Sequence, residues 1–158
     1  MTIETDLFRV GDYELDADRY YCRESHLWVR PSQGSGPATR ARVGFDPLGS
    51  ETSGDIVAVS FEPVGSKLTR GEPFGQIEAA KFVGPLIAPI SGTIASHNSD
   101  VLASPPSINT NPLDSWLIEL DSISLAVELP ELLHGREAIA DWFRAELERF
   151  LSKGMIAQ

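Results

Sequence analysis

One lysine stands where chemistry can reach it. The segment Gly71-Glu72-Pro73-Phe74-Gly75-Gln76-Ile77-Glu78-Ala79-Ala80-Lys81-Phe82-Val83-Gly84-Pro85-Leu86-Ile87-Ala88-Pro89-Ile90-Ser91-Gly92 holds an apolar strand ending at Glu78, a short turn centred on Ala80-Lys81, and a second apolar strand. This pattern puts Lys81 at a hairpin tip with its amine in water. A solvated lysine amine is protonated and does little chemistry itself. It is a good attachment point, because a modifying enzyme reaches it and reads the two flanking strands. The remaining candidates are weaker. His26, His97 and His134 lie far apart and lack an acidic metal-ligand pattern, so hydrogen-bonding roles are expected and no metal site. Cys22 sits in the aromatic run Tyr20-Tyr21-Cys22 and reads as a buried, inert thiol. The chain has no Gly-rich phosphate loop, dinucleotide fingerprint, HxxxH or CxxC pair, and no serine in a nucleophile elbow. An enzyme site would have to be assembled from residues that leave no local trace in the chain.

The elements that must position Lys81 are short β-like runs separated by Gly and Pro. They are Leu27–Arg30, Thr39–Gly44, Asp55–Phe61, Phe74–Glu78, Leu86–Ile90, Thr93–His97 and Trp116–Leu120. Such runs predict a mainly β fold, a flattened β-barrel or sandwich. Gln33-Gly34-Ser35-Gly36-Pro37 reads as a hairpin loop. Asp46-Pro47 is an N-cap followed by Pro at the first helical position, so a short helix is expected near 47–53, closed by Gly54. Ile139, Trp142, Phe143, Leu147, Phe150 and Leu151 recur at helical spacing and predict a C-terminal amphipathic helix, with Gly154 after Lys153 as its stop. Its apolar stripe, Trp142 and Phe143 included, should pack on the β-body. Residues 1–19 read as an acidic surface extension, with Asp12, Glu14, Asp16 and Asp18 at alternate positions. The expected organisation is therefore an extension over 1–19, a β-domain over 20–121 and a helical segment over 122–158.

Composition narrows the partners. The chain has 158 residues, 42% hydrophobic and 23% charged, enough for one domain with a modest core. Thirteen Lys+Arg against 23 Asp+Glu leave a net charge of −10, which disfavours nucleic acid and anionic membrane surfaces. A single cysteine forms no intramolecular disulfide and fits a reducing compartment. Glu4 and Asp6 stand where a signal peptide would be basic and then apolar. The longest apolar stretch, near Val83–Ile90, is broken by Gly84, Pro85 and Pro89 and is far short of the roughly 18 residues needed to span a bilayer. A cytoplasmic protein is expected.

Glu78-Ala79-Ala80-Lys81-Phe82, followed by Pro89-Ile90-Ser91-Gly92, resembles the H protein of the glycine cleavage system, a swinging-arm carrier in the lipoyl/biotinyl superfamily. That family carries Glu-Ser-Val-Lys-Ala with lipoate on the Lys, then a Pro-x-Ser-Gly turn at near-identical spacing. His26-Leu27-Trp28-Val29 is similar to its His-Glu-Trp-Val, and Val43-Gly44 with Gly54-Asp55-Ile56-Val57 keeps its interval. Asn109, Pro112 and Trp116-Leu117-Ile118 resemble its closing motif, one residue shorter. The resemblance spans residues 20–151. A biotin carrier fits less well, since that family flanks its Lys with Met and here the flanks are Ala80 and Phe82.

The resemblance implies a barrel-sandwich hybrid fold, lipoate in amide linkage to Lys81, Glu78 as a recognition feature for a lipoate-protein ligase or lipoyl-relay enzyme, and an arm cleft involving Leu27, Phe82, Pro85 and His26. His26 either hydrogen-bonds near the arm or braces a strand, and bracing is the expected role. Two positions depart from the family. The Glu between the motif His and Trp, and an Asp four residues after the lipoyl Lys, face the loaded arm in H proteins; here they are Leu27 and Pro85. Neither pairs with a cationic aminomethyl load. This departure leads to the expectation of an H-like branch serving cytoplasmic sulfur oxidation, with a heterodisulfide-reductase-like complex and a flavin disulfide reductase as partners. The alternative is an H protein of glycine cleavage, carrying aminomethyl between glycine decarboxylase and aminomethyltransferase, with dihydrolipoyl dehydrogenase reoxidising the arm. A third reading is an unmodified β-domain that binds partners or assists lipoate relay.

Overall fold

The computed structural model describes residues 6–32 and 38–156. The Gln33–Pro37 loop lies outside them. Strands β1 (Leu7–Val10) and β2 (Tyr13–Asp16) form an antiparallel hairpin. The body begins with β3 (Tyr20–Tyr21), β4 (Leu27–Pro31) and β5 (Arg40–Phe45), followed by helix α1 (Pro47–Ser53). Strands β6 (Ile56–Phe61), β7 (Lys67–Leu68), β8 (Pro73–Ala79), β9 (Val83–Ile87) and β10 (Gly92–His97) come next. Short helices α2 (Ser99–Ala103) and α3 (Ser107–Thr110) lead to β11 (Trp116–Asp121), α4 (Leu125–Glu128) and the long α5 (Arg136–Ser152).

Two sheets face one another. One has the order β3-β4-β5-β11-β10-β7 and the other the order β6-β8-β9. The expected mainly β sandwich is therefore the fold, with its short early helix and its C-terminal helix. Alternation explains the inner faces: on β8, Phe74, Ile77 and Ala79 point inward while Gln76 and Glu78 point out. Ile77, Leu86, Ile90, Ile94, Val29, Val43 and Leu120 are buried between the sheets. Burial of such side chains contributes about 1.5–3 kcal/mol each.

A second core lies under α5, where Ile139, Phe143 and Phe150 meet Leu15, Tyr21, Trp28 and Leu48. Trp28 packs flat across Gly44, where a Cβ would fall 2.3 Å from the indole; no other residue fits there. Trp142 is half-buried beside them.

Residues 7–16 differ from the surface extension expected of them. Val10 and Leu15 are buried beneath α5, although Asp12 and Glu14 do face water. Strand β9 also begins three residues earlier than the expected Leu86–Ile90 run, so the turn at Lys81 is tighter. No helix among the described residues is long and apolar enough to cross a membrane.

Candidate functional site

Lys81 occupies the turn between β8 and β9, which pair with Glu78 opposite Val83. The Ala79 N–H donates to the Phe82 carbonyl at 2.9 Å and closes the turn. The turn is not a free tip. The Ala80 N–H donates to the Asp55 carbonyl at 3.0 Å, and the Lys81 N–H donates to the Ser53 carbonyl at 2.9 Å. The end of α1 therefore props the backbone of Lys81 from below.

That prop depends on its own sequence. Asp46 is the N-cap of α1, and its Oδ1 accepts the Leu48 and Gly49 N–H groups at 2.9 and 2.8 Å. Gly54 ends the helix at φ +78°, ψ −166°, a region essentially reserved for glycine. A Cβ there would lie 3.0 Å from Lys81 Cγ and 3.2 Å from the Lys81 nitrogen. Asn109 locks the same corner. Its Oδ1 accepts the Ile56 N–H and its Nδ2 donates to the Gly54 carbonyl, both at 2.9 Å. In the sequence Gly54 closes a helix and Asp55 and Asn109 keep a family interval; that the three converge under Lys81 needs the tertiary fold.

The Lys81 side chain is exposed, and among the described residues its amine has no hydrogen-bond or ion-pair partner. It stands on a ridge between two concavities. On one side is a cavity of about 340 Å³ lined by His26, Leu27, Phe82, Pro85, Phe150 and Met155 among others. The structure thus brings together four residues expected from sequence. Leu27 is nearly all core, at 1% exposure, and offers only the cavity floor. Phe82 and Pro85 are exposed, Pro85 on the sheet-edge strand β9 where a missing N–H costs no ladder bond. Glu78 points outward from β8 and does not line this cavity.

On the other side lies a groove of about 650 Å³. Asp12, Glu14, Glu51, Asp55 and Asp114 contribute carboxylates to it. Tyr13 donates its hydroxyl to Glu51 at its rim, and burial, with that hydrogen bond, raises the phenol pKa.

His26 braces the fold. It is the one non-glycine residue among those described with a positive φ, at +56°, and it is 6% exposed. Nδ1 meets Asp46 Oδ2 at 2.8 Å and Nε2 meets Glu146 Oε1 at 2.9 Å. Burial opposes the charged imidazole, yet the Asp46 and Glu146 carboxylates override it and raise the His26 pKa. Glu146 is held below the usual carboxylate range, first by its hydrogen bond to Arg149 and also by His26. His97 Nε2 meets the Glu62 carbonyl at 2.7 Å, and His134 stacks on Tyr20. Cys22 is half-buried, less enclosed than expected, with its thiol 3.4 Å from a Glu24 carboxylate oxygen.

The model of the family described as "Glycine cleavage H-protein" matches residues 19–144. The chain belongs to the glycine cleavage H-protein family. The glycine cleavage system H protein of Mycobacteroides abscessus is 36% identical over 114 residues, covering 72% of this chain and 83% of that one. Glycine cleavage system H protein 3 of Aquifex aeolicus is 32% identical over 142 residues, covering 85% and 86%. The crystal structure of the H protein from Mycobacterium marinum superposes with a TM-score of 0.67 at 32% identity, covering 80% of this chain and 98% of that one.

These H-protein relatives overturn the expectation of a sulfur-oxidation branch and of a heterodisulfide-reductase-like partner. They carry the name of the glycine cleavage system, which was the alternative reading. The physical reason is visible at Lys81. Leu27 and Pro85 remove two carboxylates from one side of the ridge, but five others line the groove on its opposite side. The surroundings of the lysine are not depleted of negative charge.

Proposed function

We propose that this chain is a non-enzymatic lipoyl carrier of the glycine cleavage system, with lipoate joined in amide linkage to the Lys81 amine. The observation that carries the reading is an exposed lysine whose amine has no partner among the described residues, on a turn fixed by backbone hydrogen bonds, in a chain of the H-protein family. The fit to the group is good: amide formation neutralises an amine that balances no other charge, so modification breaks no ion pair among the described residues. When bound, the lipoyl group would supply a disulfide that accepts the aminomethyl group of glycine and later releases its electrons as a dithiol.

The protein's own residues supply position. Ser53, Asp55 and Phe82 carbonyls hold the turn, so the Cα–Cβ bond of Lys81 leaves the surface in one direction. Glu78, on the outer face beside the turn, is a recognition feature for the ligase. Leu27, Phe82 and Pro85 offer an apolar resting place for an uncharged arm. The groove carboxylates give a cationic load a favourable field on the other side. Tethering places the arm at a docked enzyme at ~mM local concentration. The partners on this reading are a lipoate-protein ligase or relay enzyme, glycine decarboxylase, aminomethyltransferase and dihydrolipoyl dehydrogenase.

The test is intact and peptide mass spectrometry of the chain after incubation with lipoate-protein ligase, lipoate and ATP. One lipoyl group on the Lys81 peptide is expected, and Lys81→Arg should abolish it without changing the circular dichroism spectrum. Modification elsewhere, or a modified chain that glycine decarboxylase cannot load, would refute the carrier reading.

A further inference from the structure

We propose that His26 is a proton-operated latch, holding the C-terminal helix against the cavity beside Lys81 when its imidazole is protonated and releasing it when neutral. The latch belongs to the unmodified chain and does not depend on what Lys81 carries.

The argument starts from donor counting. A neutral imidazole has one N–H and one lone pair, so it donates to a single acceptor. At His26 both ring nitrogens lie within 2.9 Å of carboxylate oxygens, at 2.8 Å to Asp46 and 2.9 Å to Glu146. With both carboxylates ionised, both contacts are attractive only if both nitrogens carry hydrogen, which is the imidazolium. Loss of the proton turns one contact into a lone pair facing an anionic oxygen.

The structure decides which contact yields. Asp46 is completely buried, and its second oxygen is committed to the N-terminus of α1. The Asp46 N–H also donates to the His26 carbonyl at 2.9 Å. Glu146 is half-buried on α5, its side chain 13% exposed, and it already accepts from Arg149 at 2.6 and 3.0 Å. Glu146 can turn wholly to Arg149 and water; Asp46 has nowhere to go. The neutral ring keeps its N–H toward Asp46 and lets Glu146 leave.

The neighbours of the ring carry the event outward. Trp142 stacks on it at 4.9 Å and Phe150 packs against it at 5.5 Å, both from α5. Phe150 and Met155 form the wall of the cavity that Lys81, Phe82 and Pro85 face. Asp46 comes from the β5–α1 junction, and Glu146, with Arg149 behind it, from α5. Gly49 of α1, against the His26 Cβ, brings no charge, while Glu24 and Lys81 line the same cavity at its rim. The two carboxylates raise the pH at which the ring loses its proton, so the latch opens above the pH at which an ordinary histidine titrates.

The test is an NMR titration of the full chain across neutral and alkaline pH. The His26 ring signal should titrate above an ordinary histidine, and Phe150 and Met155 should shift with the same midpoint. Ala41 and Leu120, in the β5–β11 ladder, should stay still. His26 sits on a left-handed backbone in the core, so its own replacement risks the fold; Glu146→Gln, a near-isosteric change at a half-buried residue, is the decisive variant. It should keep the native spectrum, lower the His26 midpoint and abolish the response of Phe150 and Met155. A His26 midpoint at or below the ordinary range overturns the latch. So does silence of Phe150 and Met155 through the titration, or a response that survives in Glu146→Gln.

Discussion

An exposed amine is useful as a tether only if the backbone beneath it is fixed, and single residues do the fixing here. Gly54 is the most demanding of them. Its φ, ψ pair is nearly closed to other residues, and a Cβ would press on Lys81 Cγ at 3.0 Å. Gly54→Ala should cost about 1–3 kcal/mol in urea unfolding and slow lipoylation of Lys81. Unchanged stability would mean that the corner is not strained by a side chain. His26 makes stability depend on pH. Its folded-state pKa is raised, so its contribution is complete below the unfolded value of about 6.5 and is lost as pH rises through the folded one. Urea midpoints should fall over that window, and Glu146→Gln should flatten the fall. Glu146 itself acts at the acid end: its lowered pKa gives stability that is present above about pH 4.3 and is lost as pH falls. The strand–turn–strand pattern and the family motifs make Lys81 and His26 candidates, but Leu27 and Pro85 point to the wrong cargo. A carboxylate missing from a motif says nothing about carboxylates that other segments bring to the same lysine.

Elements were legible where burial follows a period. The alternation on β8 and the 3.6-residue stripe on α5 are both properties of local sequence. The α1 boundaries were equally readable, since Asp46, Pro47 and Gly54 are local stop and start signals. The β1–β2 hairpin was not. Its acidic residues mark only the wet face, while Val10 and Leu15 are buried by α5, more than a hundred residues along the chain. Phe143 ties these pieces together: it is fully buried and meets Tyr13 edge-on at 5.5 Å. Phe143→Ala should destabilise the protein by about 3–5 kcal/mol, and hydrogen exchange should show β1 and β2 loosening with α5. If exchange in β1 and β2 stays native, the hairpin is held by something other than the α5 core.

At the scale of the whole molecule, charge governs encounter. The chain carries −10, and acidic side chains border the proposed tether. Partner enzymes should therefore dock through basic faces, with association rates falling about tenfold or more as salt is raised from low to physiological levels. Stopped-flow measurement of docking to aminomethyltransferase checks this, and a salt-independent rate would refute it. The sequence by itself determined the β-rich sandwich with its two expected helices, the family motifs and the lysine that stands out, because alternation, capping and turn chemistry are written in neighbouring residues. Only the tertiary structure decided what surrounds that lysine. The α1 end, Asn109, the acidic groove and the His26 clasp on α5 converge on it from distant segments, and through-space contacts of that kind leave no local trace in the chain.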